Sequence, residues 1–180
     1  MKKTATLCLC ISIITVLSGC MTMHTNTQAP MLTDDAIPKL SINKAVALRN
    51  SSTNSGDIII GKWIGWTVYG DLYKFTESSI SAAKDGLKRM GVTTRNDAEK
   101  VLKLEVNNAL SEQENFTFSV FPFRVTTALT VSTGDGLKKE YTGVFNYPNG
   151  YQTTWAIEKS LARCVAQMLN DSEIIQYLEE

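Results

Sequence analysis

Gly56-Asp57-Ile58-Ile59-Ile60-Gly61-Lys62 has the G-x-x-x-x-G-K spacing that opens a phosphate-binding P-loop. Three features speak against that chemistry. Trp63 stands where a Ser or Thr hydroxyl would hold Mg²⁺, the interior is a β-branched run, and no helix pattern comes after Lys62 to face an anion. The stretch reads as strand and turn. The only histidine, His24, lies in a polar N-terminal segment. The region after it therefore offers no imidazole for a Ser-His-Asp or Cys-His site and lacks the commonest neutral metal ligand. No metal and no cofactor is expected. Cys164 falls on an apolar helical stripe, which suits a packed thiol better than a nucleophile.

Carboxylates are the remaining acid–base candidates. Asp57, Asp71, Asp97, Asp135 and Asp171 sit at expected turns or element ends, where Asp bonds nearby backbone. Glu77 suits the dipole of a first helical turn, and Glu112 and Glu114 fall on a polar turn. No catalytic residue is assigned, and the chain is expected not to be an enzyme. Aromatics offer a binding chemistry instead. Trp63, Trp66, Tyr69, Tyr73 and Phe75 fall close together, and Trp155 opens a late helix. One reading is core packing of a small sheet. The sharper one makes Trp63, Trp66 and Tyr69 contacts for a protein, glycan or lipid, because Trp and Tyr concentrate at interfaces.

The N-terminus carries a different signal. Met1-Lys2-Lys3 is followed by about thirteen mostly apolar residues, Ala5 to Leu17, the length of a secretory h-region. That is too short for a spanning helix, which takes about 20 residues. Leu17-Ser18-Gly19-Cys20 resembles the bacterial lipobox, in which cleavage precedes the cysteine and its thiol carries diacylglycerol. The resemblance implies a signal peptide over residues 1–19 and a mature chain starting at Cys20, acylated on sulfur and on the new amino group, with palmitate as the expected label. One acyl chain binds only marginally, so stable anchoring takes more than one. In the enterobacterial pattern an Asp after the acylated Cys retains the protein at the inner membrane. Met21 in that place implies the outer membrane, on its periplasmic face.

Composition narrows the partners. Eighteen basic and eighteen acidic side chains balance, and loss of Lys2 and Lys3 with the signal leaves 16 against 18, a net of about −2. No basic surplus remains to neutralise phosphates, so nucleic acid is not an expected partner. With Cys8 and Cys10 removed and Cys20 acylated, Cys164 has no internal disulfide partner. The fold must stand on its core.

Residues 20–40 show little apolar pattern and read as a flexible tether, which would span roughly 25 Å as a coil. Residues 41–180 then form one domain. Its expected order begins with a strand at 44–50 and, from Asp57, a Gly-broken stretch that is a hairpin or an aromatic loop. A helix comes next over 77–90, with Thr76 as N-cap, Phe75 stapled on Ile80 and Gly91 as C-terminal cap. Leu102, Leu104 and Val106 alternate as a half-buried strand, and Ser111–Asn115 turns the chain. Then comes a long hairpin around Thr133–Gly136, its first strand changing parity by a bulge at Phe121-Pro122-Phe123. A helix over 154–169 has Ile157, Leu161, Cys164, Val165 and Met168 on one stripe, and a short helix over 172–178 ends the chain. The fold class is α+β: a mostly antiparallel sheet with two main helices packed on one face, after a lipidated flexible tether.

Lipobox, polar segment, strand, Gly-ended helix, "LKLEV" strand, long hairpin and terminal amphipathic helix together resemble the YajG-type lipoproteins of Gram-negative bacteria. The resemblance implies location and fold and carries no active residues. The function expected is that of a non-catalytic, periplasm-facing envelope lipoprotein that docks a partner or supports an assembly. The alternative is a carrier holding a small lipid or glycan ligand between sheet and helices.

Overall fold

The computed structural model describes residues 21–53, 55–63, 65–114, 122–148 and 150–180. Strands β1 (Met21–His24), β2 (Ala45–Asn50), β3 (Asp57–Trp63) and β4 (Trp66–Asp71) precede helix α1 (Leu72–Arg89). After it come β5 (Thr93–Thr94), β6 (Lys100–Gln113), β7 (Phe123–Thr133), β8 (Lys138–Tyr147), α2 (Thr153–Leu169) and α3 (Ser172–Glu179). No helix among the described residues is long and apolar enough to cross a membrane.

The strands form one sheet with β6 as its spine. One edge of β6 pairs antiparallel with β7, which pairs antiparallel with β8. The other edge is shared: its first half takes β2 in parallel register (Val46 to Lys100, Asn50 to Leu104), and its far end meets β3 at Gly61 and Ser111, also in parallel. Beyond β3 lies antiparallel β4 and then parallel β1, while β2 carries the short parallel β5. The sheet is therefore mixed, which corrects the mostly antiparallel expectation. Hairpin turns are visible in a sequence, whereas the parallel partners are joined through distant segments that leave no local signal.

Helices α1 and α2 lie side by side on one face, α1 over β6 and β2, α2 over β7 and β8. Phe75, Leu87 and Met90 from α1 meet Leu102, Leu104 and Leu129 from the sheet and Ile157, Leu161 and Met168 from α2, all buried. One close approach requires glycine. A Cβ on Gly143 of β8 would collide with the Ser160 carbonyl of α2. Without it, Ser160 Oγ donates to the Gly143 carbonyl at 2.8 Å and meets Thr127 Oγ1 at 2.8 Å.

Helix α1 starts five residues before its expected start. Asp71 is the N-cap, its carboxylate accepting from the Tyr73 and Lys74 amides at 2.9 and 3.2 Å. Thr76 lies inside the helix, buried against the sheet. The C-terminal cap falls where Gly91 was expected, at φ +80°, with the Val92 amide returning to the Leu87 carbonyl at 2.9 Å. Strand β6 runs on through Gln113, so the turn expected from Ser111 begins later. The expected parity change at residues 121–123 lies partly outside the described residues, as do Phe116, Phe118 and Val120.

The flexible tether is also corrected. Met21–His24 pair with Trp66–Tyr69 as an edge strand. The chain then crosses the helices as a strap: the Thr25 amide donates to the Tyr69 carbonyl (2.9 Å) and Ser78 Oγ to the Thr27 carbonyl (3.1 Å). Further on, Asn170 Nδ2 donates to the Ala36 carbonyl at 2.9 Å. Leu32, Ile37 and Ile42 are buried in the core. Their spacing of five residues matches neither a strand nor a helix period, so the segment reads as polar while packing as part of the domain.

Candidate functional site

The residues singled out by type do not form one site. Trp63 and Trp66 are brought together as a directly opposed pair at the β3–β4 turn. Each has its own aromatic partner. Trp63 packs edge-on against Phe123 (centroids 4.8 Å apart), and Trp66 stands at 90° to Tyr151 at 5.6 Å. Tyr69 is apart from them, near the far end of β4, stacked on His24 at 5.2 Å. Trp155, 44 % exposed, stands edge-on to Phe145 at 4.9 Å. Tyr151 is 76 % exposed and Met21 54 %. Neither is singled out by the sequence as a contact residue, Met21 being marked there only as the residue after Cys20. Met21 could have been found from its place next to Cys20, and Tyr151 from being an aromatic in a Gly-containing turn.

The P-loop spacing resolves into β3, and Lys62 leads into the hairpin to β4 rather than into a helix. No phosphate cradle forms there. His24, expected in a tether, sits on the sheet edge with Nδ1 2.9 Å from Asp57 Oδ2. Both side chains are about half exposed. Among the described residues no serine or cysteine hydrogen-bonds to the imidazole, so the pair lacks the nucleophile of a triad.

Most of the other acids are engaged locally, whereas Glu112 is exposed near the end of β6. Asp71 caps α1, Asp97 pairs with Arg95 at 3.3 Å, and Glu114 pairs with Arg124 at 2.5 Å. Glu77 accepts from Asn50 Nδ2 at 2.7 Å. Asp135 lies in the β7–β8 turn, where the Thr133 hydroxyl bonded to it holds its carboxyl below the usual range. Asp171 and Glu173 converge on Lys139, each at 2.9 Å, and the Tyr141 hydroxyl donates to Asp171 at 3.0 Å. Asp171 also caps α3 through the Glu173 amide. This cluster ties α3 to β8, with one ammonium set against two carboxylates. No group of three or more metal-ligating side chains occurs among the described residues.

Cys164 is fully buried, its thiol 3.3 Å from the Tyr141 carbonyl and 3.4 Å from Thr127 Oγ1. Burial pushes the thiol up, away from the reactive thiolate. Cys20 lies outside the described residues. The space between sheet and helices is occupied by the core side chains named above, with Phe75 and Leu161 at zero exposure.

No family model matches the chain, and no curated protein does. Solved structures overlap it loosely. A DUF330-family protein from Xanthomonas campestris is 13 % identical, with 83 % of this chain and 92 % of that one covered, at a TM-score of 0.45. A minor lipoprotein from Acinetobacter baumannii is 13 % identical over 72 % of this chain and 92 % of that one, at 0.41. A PelC dodecamer from Paraburkholderia phytofirmans is 12 % identical over 79 % and 92 %, at 0.36. At TM-scores below 0.5 these are loose overlaps of chain trace, and no property of those proteins transfers to this one. The YajG-type likeness rests on the lipobox and element order alone.

Proposed function

We propose that this chain is a lipid-anchored envelope protein of a Gram-negative bacterium. Acyl groups on Cys20 hold it at the periplasmic face of the outer membrane, and it docks a partner or supports an assembly without catalysis. One observation carries the reading: a charged start and a short apolar run that end at Leu17-Ser18-Gly19-Cys20. The local engagement of the acids named above, the buried Cys164 and the His24–Asp57 pair, to which no serine or cysteine among the described residues hydrogen-bonds, support a non-catalytic role. The filled interface between sheet and helices favours docking over a ligand carrier.

Metabolic labelling with radioactive palmitate tests the anchor. Label is expected in the wild-type chain and absent from Cys20→Ser, which should keep its signal. Unlabelled wild type would sink the reading. Docking is tested by capture from envelope extract, with Trp66→Ala as comparison. A partner lost with that change supports an aromatic contact, and identical partner sets remove it.

A further inference from the structure

The anchor point and the exposed aromatics share one end of the molecule. Met21, next in the chain after Cys20, is the first residue of β1. That strand runs parallel to β4 from its Trp66 end, and the Met21 amide donates to the Gly65 carbonyl in the β3–β4 turn at 2.8 Å. Consecutive Cα atoms lie ~3.8 Å apart. An acyl-bearing Cys20 is therefore joined to the sheet with no tether between them.

Around that point stand Met21, Trp66 and Tyr151, and beyond them Trp155 in the first turn of α2. The strand ends at Gln113, Phe123 and Tyr147 belong to the same end, since Trp63 packs on Phe123 and Phe123 on Tyr147. Lys159 Nζ stands 5.8 Å from the Trp155 ring, and the neighbouring Glu158 is taken up by the Gln28 amide at 2.9 Å. Met21, Tyr151 and Trp155 are exposed and Trp66 is half-buried; among the described residues the same end also carries exposed Lys62 and Glu112 and the Glu114–Arg124 pair.

We propose that this end lies against the bilayer, with Trp66, Tyr151 and Trp155 at headgroup depth around the Cys20 anchor. The inference rests on the acylation of Cys20 proposed above. Two physical facts favour a lipid surface over other occupants. A body pinned with no slack cannot stand off from the membrane, so whatever surrounds the pin meets headgroups first. Trp and Tyr are the side chains that gain most there, their rings apolar and their N–H and O–H groups still hydrated. Lys159, its ammonium 5.8 Å from the Trp155 ring, stands beside that ring where a lipid phosphate would lie.

Tryptophan quenching in reconstituted vesicles tests this. The full chain, produced with its own signal in a Gram-negative host, is placed in phosphatidylethanolamine–phosphatidylglycerol vesicles with or without brominated acyl chains. Mass spectrometry of the N-terminal peptide verifies acylation on the same sample. Brominated lipid is expected to cause a loss of tryptophan emission, and binding should protect against acrylamide in the water phase. Trp66→Phe and Trp155→Phe should each reduce the lipid-quenched share, whereas Trp63→Phe, packed on Phe123, should leave it. Acylated, vesicle-bound protein whose emission ignores brominated lipid would overturn the inference and leave the anchor standing. Protection from both quenchers, with a doubled mass in solution, would assign this end to a second copy instead. An N-terminal peptide without acyl groups would end both proposals.

Discussion

The backbone N–H of Val106 donates to the Thr76 hydroxyl at 2.9 Å, across the boundary between β6 and α1. The bond fills a gap in the sheet. On that edge of β6 the Leu104 carbonyl still accepts from Ser51 at 2.9 Å, but β2 ends there and β3 meets β6 only at Ser111. Val106 is next on the same edge and, among the described residues, has no strand beside it. Thr76 supplies the acceptor while donating its own proton to the Leu72 carbonyl at 2.8 Å. Thr76→Val keeps the shape and removes the acceptor, leaving a buried amide unsatisfied at about 1–3 kcal/mol. Urea unfolding should show that loss, and Thr76→Ser should recover most of it. Equal midpoints for Thr76→Val and wild type would refute the role.

Gly143 predicts a larger packing effect. Because its missing Cβ is the space in which the Ser160 carbonyl sits, Gly143→Ala forces α2 away from β8. Overpacking of this kind costs about 1–3 kcal/mol, and more where backbone must move. The expected result is a lower thermal midpoint together with earlier exposure of Cys164, which lies beside the same contact.

Asp171 predicts a pH dependence. Burial pushes its carboxyl up, but the Lys139 ammonium, the Glu173 amide and the Tyr141 hydroxyl outweigh burial and hold it below the ordinary 3.8. A carboxyl depressed in the folded state contributes stability that is present above its unfolded pKa and lost as pH falls through the folded one. Lys139 has the opposite sense: hydrogen bonds to Asp171 and then Glu173 raise it above 10.5, so its contribution is lost only as pH rises through that raised value. Asp171→Asn keeps a good helix cap and deletes the charge. Plotted against pH, its stability should decline less in acid than that of the wild type. Parallel curves would show that the pair contributes nothing measurable.

Cys164 should be silent toward thiol reagents in the native protein. Its raised pKa comes first from burial, only partly opposed by the Thr127 hydroxyl. In a Cys8→Ser, Cys10→Ser, Cys20→Ser background, where Cys164 is the one cysteine left, alkylation should proceed at the rate of unfolding and rise steeply with denaturant. Rapid modification without denaturant would contradict the packing of α2.

Sequence and structure agree best where a period is unbroken. The stripe Ile157, Leu161, Cys164, Val165 and Met168 is buried throughout. The disagreements have physical causes. In β6 the buried set passes from Leu102, Leu104 and Val106 to Ala109 and Ser111, because a bulge between Val106 and Asn108 shifts the parity. A broken alternation looks like the end of a strand when read along the chain. Leu72, Tyr73 and Phe75 are apolar or aromatic residues after a strand, so they hide the helix start that Asp71 caps. Trp63 and Trp66 are conspicuous by type, but only the register sets them opposite each other and leaves Tyr69 with His24.

The edge of β6 shared by β2 and β3 also has a consequence in time. A chain is made from its N-terminus, so β2 exists well before Lys100–Leu104, its principal partner, has been added. The hairpins of β6, β7 and β8 close between sequence neighbours, whereas β2 has to wait across a whole helix for its ladder. Until then Val46 and Ala47, buried in the finished body, stay uncovered. The nascent N-terminal half thus carries an open strand edge and bare apolar side chains until β6 arrives.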